Sequence, residues 1–150
     1  MADTSVLLAA IFLPCPETQE TLRICSGDPH ILVISHASIL EALTVVQATW
    51  PRCLPALQLF LTYADYECAP TPQGIPRIRV RHLPQRPNAA KTYITAINSR
   101  TSILLSYTRD FANLHPPHLT VMSPRTFVHR YGGSATSESP LRHPGKPFHR

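Results

Sequence analysis

Sixteen prolines are spread along a chain of 150 residues that contains only five glycines. Each proline fixes the backbone dihedral φ and removes one hydrogen-bond donor, so a proline inside a helix or a central strand weakens it. A chain interrupted this often has little room for long helices. We therefore expect short elements separated by proline-containing turns.

Short apolar or alternating runs lie between these turns, which is typical of an all-β protein. Strands are predicted over 6–13, 22–25, 31–35, 43–49, 57–63, 77–83, 92–98, 102–108, 119–122 and 126–131. One short helix is predicted over 35–43, because Ser35 can cap it while Ile39, Leu40 and Leu43 share one face.

The length suits one domain that can bury a real core. The strand pattern predicts a mainly β fold, an antiparallel β-sandwich over residues 1–133. From residue 134 to 150 the chain is rich in Ser, Pro, Gly, Arg and His and has almost no apolar residues. Such a segment buries too little surface to order itself, so we expect a disordered basic tail.

Charge is divided unevenly between the two halves of the chain. Residues 1–75 contain two basic and seven acidic side chains, whereas residues 76–150 contain twelve basic and two acidic ones. The halves therefore carry net charges of −5 and +10, within a total of +5. A strongly positive surface attracts polyanions and releases their counterions on binding. The second half is a candidate surface for nucleic acid, such as the phosphate backbone of RNA, or for an anionic membrane.

The sharpest local signal is the alternation of arginine with apolar residues over 77–81. In a strand, Arg77, Arg79 and Arg81 would stand on one face while the residues between them enter the core. A solvated edge strand that resists aggregation is the alternative interpretation. The nucleic-acid-binding residues that we predict are Arg77, Arg79, Arg81, Arg86, Lys91, Arg125, Arg130, Arg142, Lys146 and Arg150.

Other functions lack sequence support. The four cysteines form no C-x-x-C pair, so no metal site is predicted. The apolar run over 6–13 is too short to span a membrane. No amphipathic basic helix is visible that could bind a membrane surface, so no membrane role is expected. There is no G-x-S-x-G motif, no phosphate-binding glycine loop and no paired-carboxylate signature. We therefore predict no catalytic residues, no cofactor and no enzymatic activity.

One stretch resembles a known family. The order of 36–43 (HASILEAL), 44–49 (TVVQAT), the proline-rich turn 51–55, the apolar run 57–63 and 69–72 (APTP) is similar to a pattern in tymovirus coat proteins. Further on, 88–94 (NAAKTYI) and 101–105 (TSILL) resemble the strand pair that precedes the last strands of that family.

The resemblance implies an eight-stranded jelly roll. It also implies a capsid subunit that self-associates, faces the genome with its arginines and is found in the virion. The alternative is a small viral accessory protein in the host cytoplasm, such as an RNA-binding suppressor of RNA silencing. That protein would bind RNA or a host protein without forming a shell.

Overall fold

The structure is a computed structural model that describes residues 1–13, 15–72, 83–114 and 116–135. Of these residues, 59% are helical and 11% lie in strands, so the predicted antiparallel jelly-roll sandwich is wrong. The helices are α1 Thr4–Phe12, α2 Pro16–Cys25, α3 His36–Thr49, α4 Leu54–Tyr63, α5 Pro87–Asn98 and α6 Pro124–Tyr131. The strands are β1 Val33–Ser35, β2 Glu67–Ala69, β3 Ile103–Leu105 and β4 Thr120–Met122. Three 3₁₀ helices cover Pro51–Cys53, Arg109–Phe111 and Gly132–Ala135.

Two parallel strand pairs are joined through the first residues of the chain. Strand β1 pairs with β2, and β3 pairs with β4. Between the pairs, Ala2 forms parallel bridges to Ile34 and to Leu105. The backbone nitrogen of Ala2 donates to the Val33 oxygen at 2.9 Å, and that of Leu105 donates to the Met1 oxygen at 2.8 Å. The order across the ladder is therefore β2, β1, residues 1–3, β3, β4. We call residues 1–3 the central segment.

Helices cover both faces of this ladder. Successive strand residues point to opposite faces, and accordingly Leu104 and Leu105 belong to different apolar clusters. The cluster around Leu105 includes side chains from α1, α2, α3, α4 and α6. The cluster around Leu104 includes Tyr93 and Ala96 of α5, together with Phe111. The result is a three-layer α/β/α arrangement.

Part of the element prediction is confirmed. The helix predicted at 35–43 exists and extends to Thr49, and the Ser35 side chain accepts a hydrogen bond from the Ser38 nitrogen as its N-cap. The strands predicted at 31–35, 102–108 and 119–122 contain β1, β3 and β4. The other strands predicted within the described part are wrong, because helices occupy 6–12, 22–25, 43–49, 57–63, 92–98 and 126–131.

The prolines explain much of this error. Five of them lie in the first two positions of a helix: Pro16, Pro51, Pro55, Pro87 and Pro124. The amide of the first helical residue has no partner within the helix, and the fixed φ of proline is already helical. Prolines that we interpreted as strand-ending turns therefore begin helices. Most of the predicted strand 77–83, and the predicted tail beyond residue 135, lie outside the described residues.

We expect Leu105→Ala to destabilise the protein strongly. Leu105 is buried on the ladder beside the central segment, and removing a buried leucine side chain leaves a cavity that costs about 2 to 5 kcal/mol. Leu40→Ala is the matched control, because Leu40 is 51% exposed. Urea unfolding followed by circular dichroism measures both. Equal losses in the two variants would contradict this placement of Leu105.

Candidate functional site

A crevice opens at the carboxyl ends of the strands. From the central segment the chain moves to β1 and β2 on one side, and it later forms β3 and β4 on the other side. In open α/β sheets, ligands bind outside the carboxyl ends of the strands where the strand order reverses in this way. A crevice of about 220 Å³ lies at this point, lined by residues that follow the central segment and β3.

Asp3 lies in the wall of the crevice, at the end of the central segment. Its Oδ1 atom accepts hydrogen bonds from the Val6 nitrogen at 3.2 Å and the Ser5 hydroxyl at 2.6 Å, so Asp3 caps α1. Its Oδ2 atom accepts a hydrogen bond from the Ser106 hydroxyl at 2.6 Å. Because Ser106 directly follows β3, this bond links the end of the central segment to the end of β3. The strand order reverses between these two strands.

The environment of Asp3 changes its acidity. The side chain is only 5% exposed, and burial raises its pKa because it disfavours the charged form. The hydrogen bonds from Ser106, Ser5 and Val6 act in the opposite direction and only partly offset the burial. A buried carboxyl group with a raised pKa in a crevice is a recognised mark of a functional site.

Two further carboxyl groups line the same crevice. Glu41 extends from α3, and its Oε2 atom accepts a hydrogen bond from the Thr4 hydroxyl at 2.5 Å. Asp110 follows β3, and its Oδ2 atom lies 3.7 Å from the Nη1 atom of Arg86. Arg86 is 75% exposed, so this ion pair contributes little to stability, about 0 to 1 kcal/mol.

A buried hydroxyl cluster adjoins the crevice between α3 and α5. The Ser35 and Ser38 hydroxyl oxygens lie 2.8 Å apart, and the Thr92 hydroxyl oxygen lies 3.1 Å from that of Ser38 and 3.4 Å from that of Ser35. All three residues are buried, and Thr92 also lines the crevice. Buried hydroxyl groups that satisfy one another give a defined local geometry. This cluster therefore holds α5 in place against the start of α3.

The charge of the crevice limits what it can bind. Its lining includes three carboxyl groups and one guanidinium, a net charge of −2 when all are ionised. An anion can approach the carboxylates only together with a cation. Within 1–13, 15–72, 83–114 and 116–135, no group of three or more His, Cys, Asp or Glu side chains is arranged to hold a metal ion. However, Mg²⁺ is often bound by one or two carboxylates and completes its coordination with water and phosphate oxygens.

The predicted basic residues lie at several places in the structure. Arg86 lies at the crevice, and Lys91 is exposed on α5. On α6, Arg125 pairs with Glu17 at 3.0 Å, and the guanidinium of Arg130 lies 5.8 Å from the centre of the Tyr131 ring. Because α5 and α6 cover opposite faces of the ladder, these four residues do not form one patch. The remaining predicted positions lie outside the described residues: Arg77, Arg79, Arg81, Arg142, Lys146 and Arg150.

Sequence reasoning missed the carboxylates of the crevice. Asp3, Glu41 and Asp110 are far apart in the chain and form no short motif. A signal was nevertheless present, because polar residues follow the apolar stretches that become strands, as Ser106 and Thr108 follow Leu105. In a parallel sheet these positions converge at one edge. That signal is useful only once the strands are known to be parallel.

A scan of protein-family models found no match to the chain, and searches of curated proteins and of solved structures found none either. In the part of the chain that the structure describes, no helix has both the length and the apolar character needed to cross a bilayer.

Asp3→Asn is expected to change how stability depends on pH. The pKa of Asp3 is raised in the folded state above its ordinary value of 3.8. Asp3 therefore contributes most to stability below pH 3.8, and this contribution is lost as the pH rises through the folded-state pKa. The unfolding free energy of the wild type relative to Asp3→Asn should therefore fall between pH 3.8 and neutrality. Urea titrations across this range measure the difference.

Glu20→Gln is the control for this experiment, with a trend of opposite sign. The hydrogen bond from Arg23 holds the pKa of Glu20 below its ordinary value, so the wild type should gain stability over this variant as the pH rises. A wild-type advantage over Asp3→Asn that also grew with pH would contradict the assignment of a raised pKa to Asp3.

Proposed function

We propose that this protein binds RNA and that its crevice holds one backbone phosphate through a Mg²⁺ ion bound by Asp3 and Glu41. The observation that carries the proposal is the pair of carboxyl groups in a crevice where the strand order reverses, in a chain whose second half is strongly basic. The basic residues would supply long-range attraction, and the crevice would supply the specific contact.

The contact with phosphate requires the cation. Asp3 and Glu41 line the same crevice, and Thr4, which follows Asp3 in the chain, donates a hydrogen bond to Glu41. Oxygen ligands of this type suit hard divalent cations. One Mg²⁺ ion balances the net charge of −2 in the crevice lining, so a phosphate can then enter without repulsion. The guanidinium of Arg86, which is exposed at the crevice, would contact a neighbouring phosphate.

A shell-forming role was implied by the jelly roll, and this fold is not a jelly roll. The proposal therefore does not include a shell. RNA binding by a small accessory protein requires no particular fold, because it follows from charge. Self-association, a host-protein partner and a location in the virion or the host cytoplasm stay predictions from the sequence.

Glu41→Gln gives a test in which the sign of the effect depends on the cation. Without Mg²⁺ the variant should bind RNA more tightly than the wild type, because it lacks one repelling charge. With Mg²⁺ it should bind more weakly, because it lacks a cation ligand. Fluorescence anisotropy with labelled single-stranded RNA, in chelator and in Mg²⁺ at constant ionic strength, measures both affinities.

Glu20→Gln is the matched control, because it removes the same charge from α2, away from the crevice. We expect Glu20→Gln to bind slightly more tightly than the wild type under both conditions. An identical response of the two glutamate variants would contradict a role for the crevice.

A second candidate function is Mg²⁺-dependent hydrolysis of the bound phosphodiester, and the two carboxyl groups from separate elements favour it. A bound divalent ion polarises a phosphoryl oxygen and lowers the pKa of a coordinated water. The water oxygen would form a new bond to phosphorus, and the bond between phosphorus and one ribose oxygen would break. The water proton would pass to the departing ribose oxygen.

If hydrolysis occurs, end-labelled RNA incubated with the wild type and Mg²⁺ should yield shorter fragments, and chelator should stop their formation. Asp3→Asn and Glu41→Gln, purified in the same way, should reduce cleavage to background, whereas Glu20→Gln should not. Denaturing gel electrophoresis detects the fragments. Intact RNA in the presence of a wild type that binds it would exclude this second function and leave the first in place.

A further inference from the structure

Helix α4 has two different apolar faces. On its inner face, Leu57 is buried, while Leu54, Phe60 and Leu61 pack against the apolar cluster around Leu105. On its outer face, Leu59 is 58% exposed and Tyr63 is 81% exposed. Pro55 and Ala56, about one turn before Leu59, are exposed as well, and the exposed polar residues Gln58 and Thr62 lie beside them. At 3.6 residues per turn, 55, 59 and 63 form one stripe.

Unpaired charges of opposite sign lie at the two ends of this stripe. Arg52 is exposed just before α4, and Asp65 is exposed just after its end. None of the ion pairs among the described residues involves either of these side chains. The outer face of α4 is therefore apolar in the middle, positive at the start and negative at the end.

This distribution of charge is self-complementary. If two copies of α4 pack antiparallel about a two-fold axis at Leu59, residues at equal distances before and after Leu59 face one another. Tyr63 of one copy then packs against Pro55 of its partner, and Arg52 approaches the partner's Asp65. The antiparallel helix dipoles also attract each other. A parallel arrangement would instead place like charges together.

We propose that the outer face of α4, defined by Arg52, Pro55, Leu59, Tyr63 and Asp65, is a dimer interface whose occupant is the same face of a second copy of this chain. Leu59 lies at the centre of this interface, and Tyr63 adds a large apolar area with a polar tip on each side of it. One helix face is small for a protein interface, so the dimer should be weak and concentration-dependent.

Sedimentation equilibrium of the full chain over a range of concentrations tests the proposal. The wild type should show a monomer–dimer equilibrium, and Leu59→Arg should weaken the dimer at least about tenfold. Leu40→Arg is the matched control, because it places the same charge on an exposed leucine of α3 and should leave the equilibrium unchanged. Unfolding curves check that both variants are folded.

Charge reversal tests the antiparallel arrangement separately. Arg52→Glu and Asp65→Arg should each weaken the dimer, and the double variant should recover most of the loss because the attraction is restored with exchanged signs. A monomeric wild type would overturn the proposal and leave this face to a different partner. A dimer insensitive to Leu59→Arg, or single reversals without recovery in the double variant, would also overturn it. RNA binding by the monomer is unaffected by any of these outcomes, so the two proposals fail independently.

Discussion

The fold depends on the placement of residues 1–3 in the middle of the ladder. Each of the four strands is only three residues long, and each pair alone is a two-stranded unit. Such a unit is marginal in water. The central segment donates a backbone hydrogen bond to β1 and both donates to and accepts from β3, and Ala2 is fully buried. By joining the two pairs it creates a surface broad enough for helices to cover on both faces, and without it the apolar clusters would have no common sheet to pack on.

The same segment determines where chemistry can occur. The residue that leaves the central segment is Asp3, which caps α1 and is bonded to Ser106 at the end of β3. A carboxyl group is therefore fixed at the crevice by the hydrogen bonds that begin the first helix and join it to β3. Thr4, the next residue, donates a hydrogen bond to Glu41 and so fixes this second carboxyl group on α3. Neither carboxyl group needs a flexible loop to reach the crevice, because helices and strand ends hold both of them. Rigid placement of this kind suits a cation-binding pair.

The extent to which the sequence predicts this structure varies with the element. The helix beginning at Ser35 is predictable because its cap and its apolar face agree. Strands β1, β3 and β4 are predictable as apolar runs. Helices α1 and α4 are not, because both are apolar around most of their circumference, and a short apolar run does not distinguish a helix from a strand. For α4, Pro55 resolves the ambiguity, because a proline in this position is typical of the first turn of a helix. The crevice could not be predicted before the strand order, since Asp3, Glu41 and Asp110 meet only through tertiary structure.

In the folded chain, the basic second half does not form one continuous basic surface among the described residues. The basic residues were expected to form the binding surface, yet Arg125 is paired with Glu17, and Arg86 lies beside Asp110. The crevice itself is acidic, although the chain as a whole is basic. A polyanion attracted by the net charge of +5 is therefore repelled at the crevice unless a divalent cation accompanies it. If the proposed Mg²⁺ site exists, this opposition would let the crevice favour a phosphate that carries a bound cation over one that does not. A uniformly basic surface has no means of making that distinction.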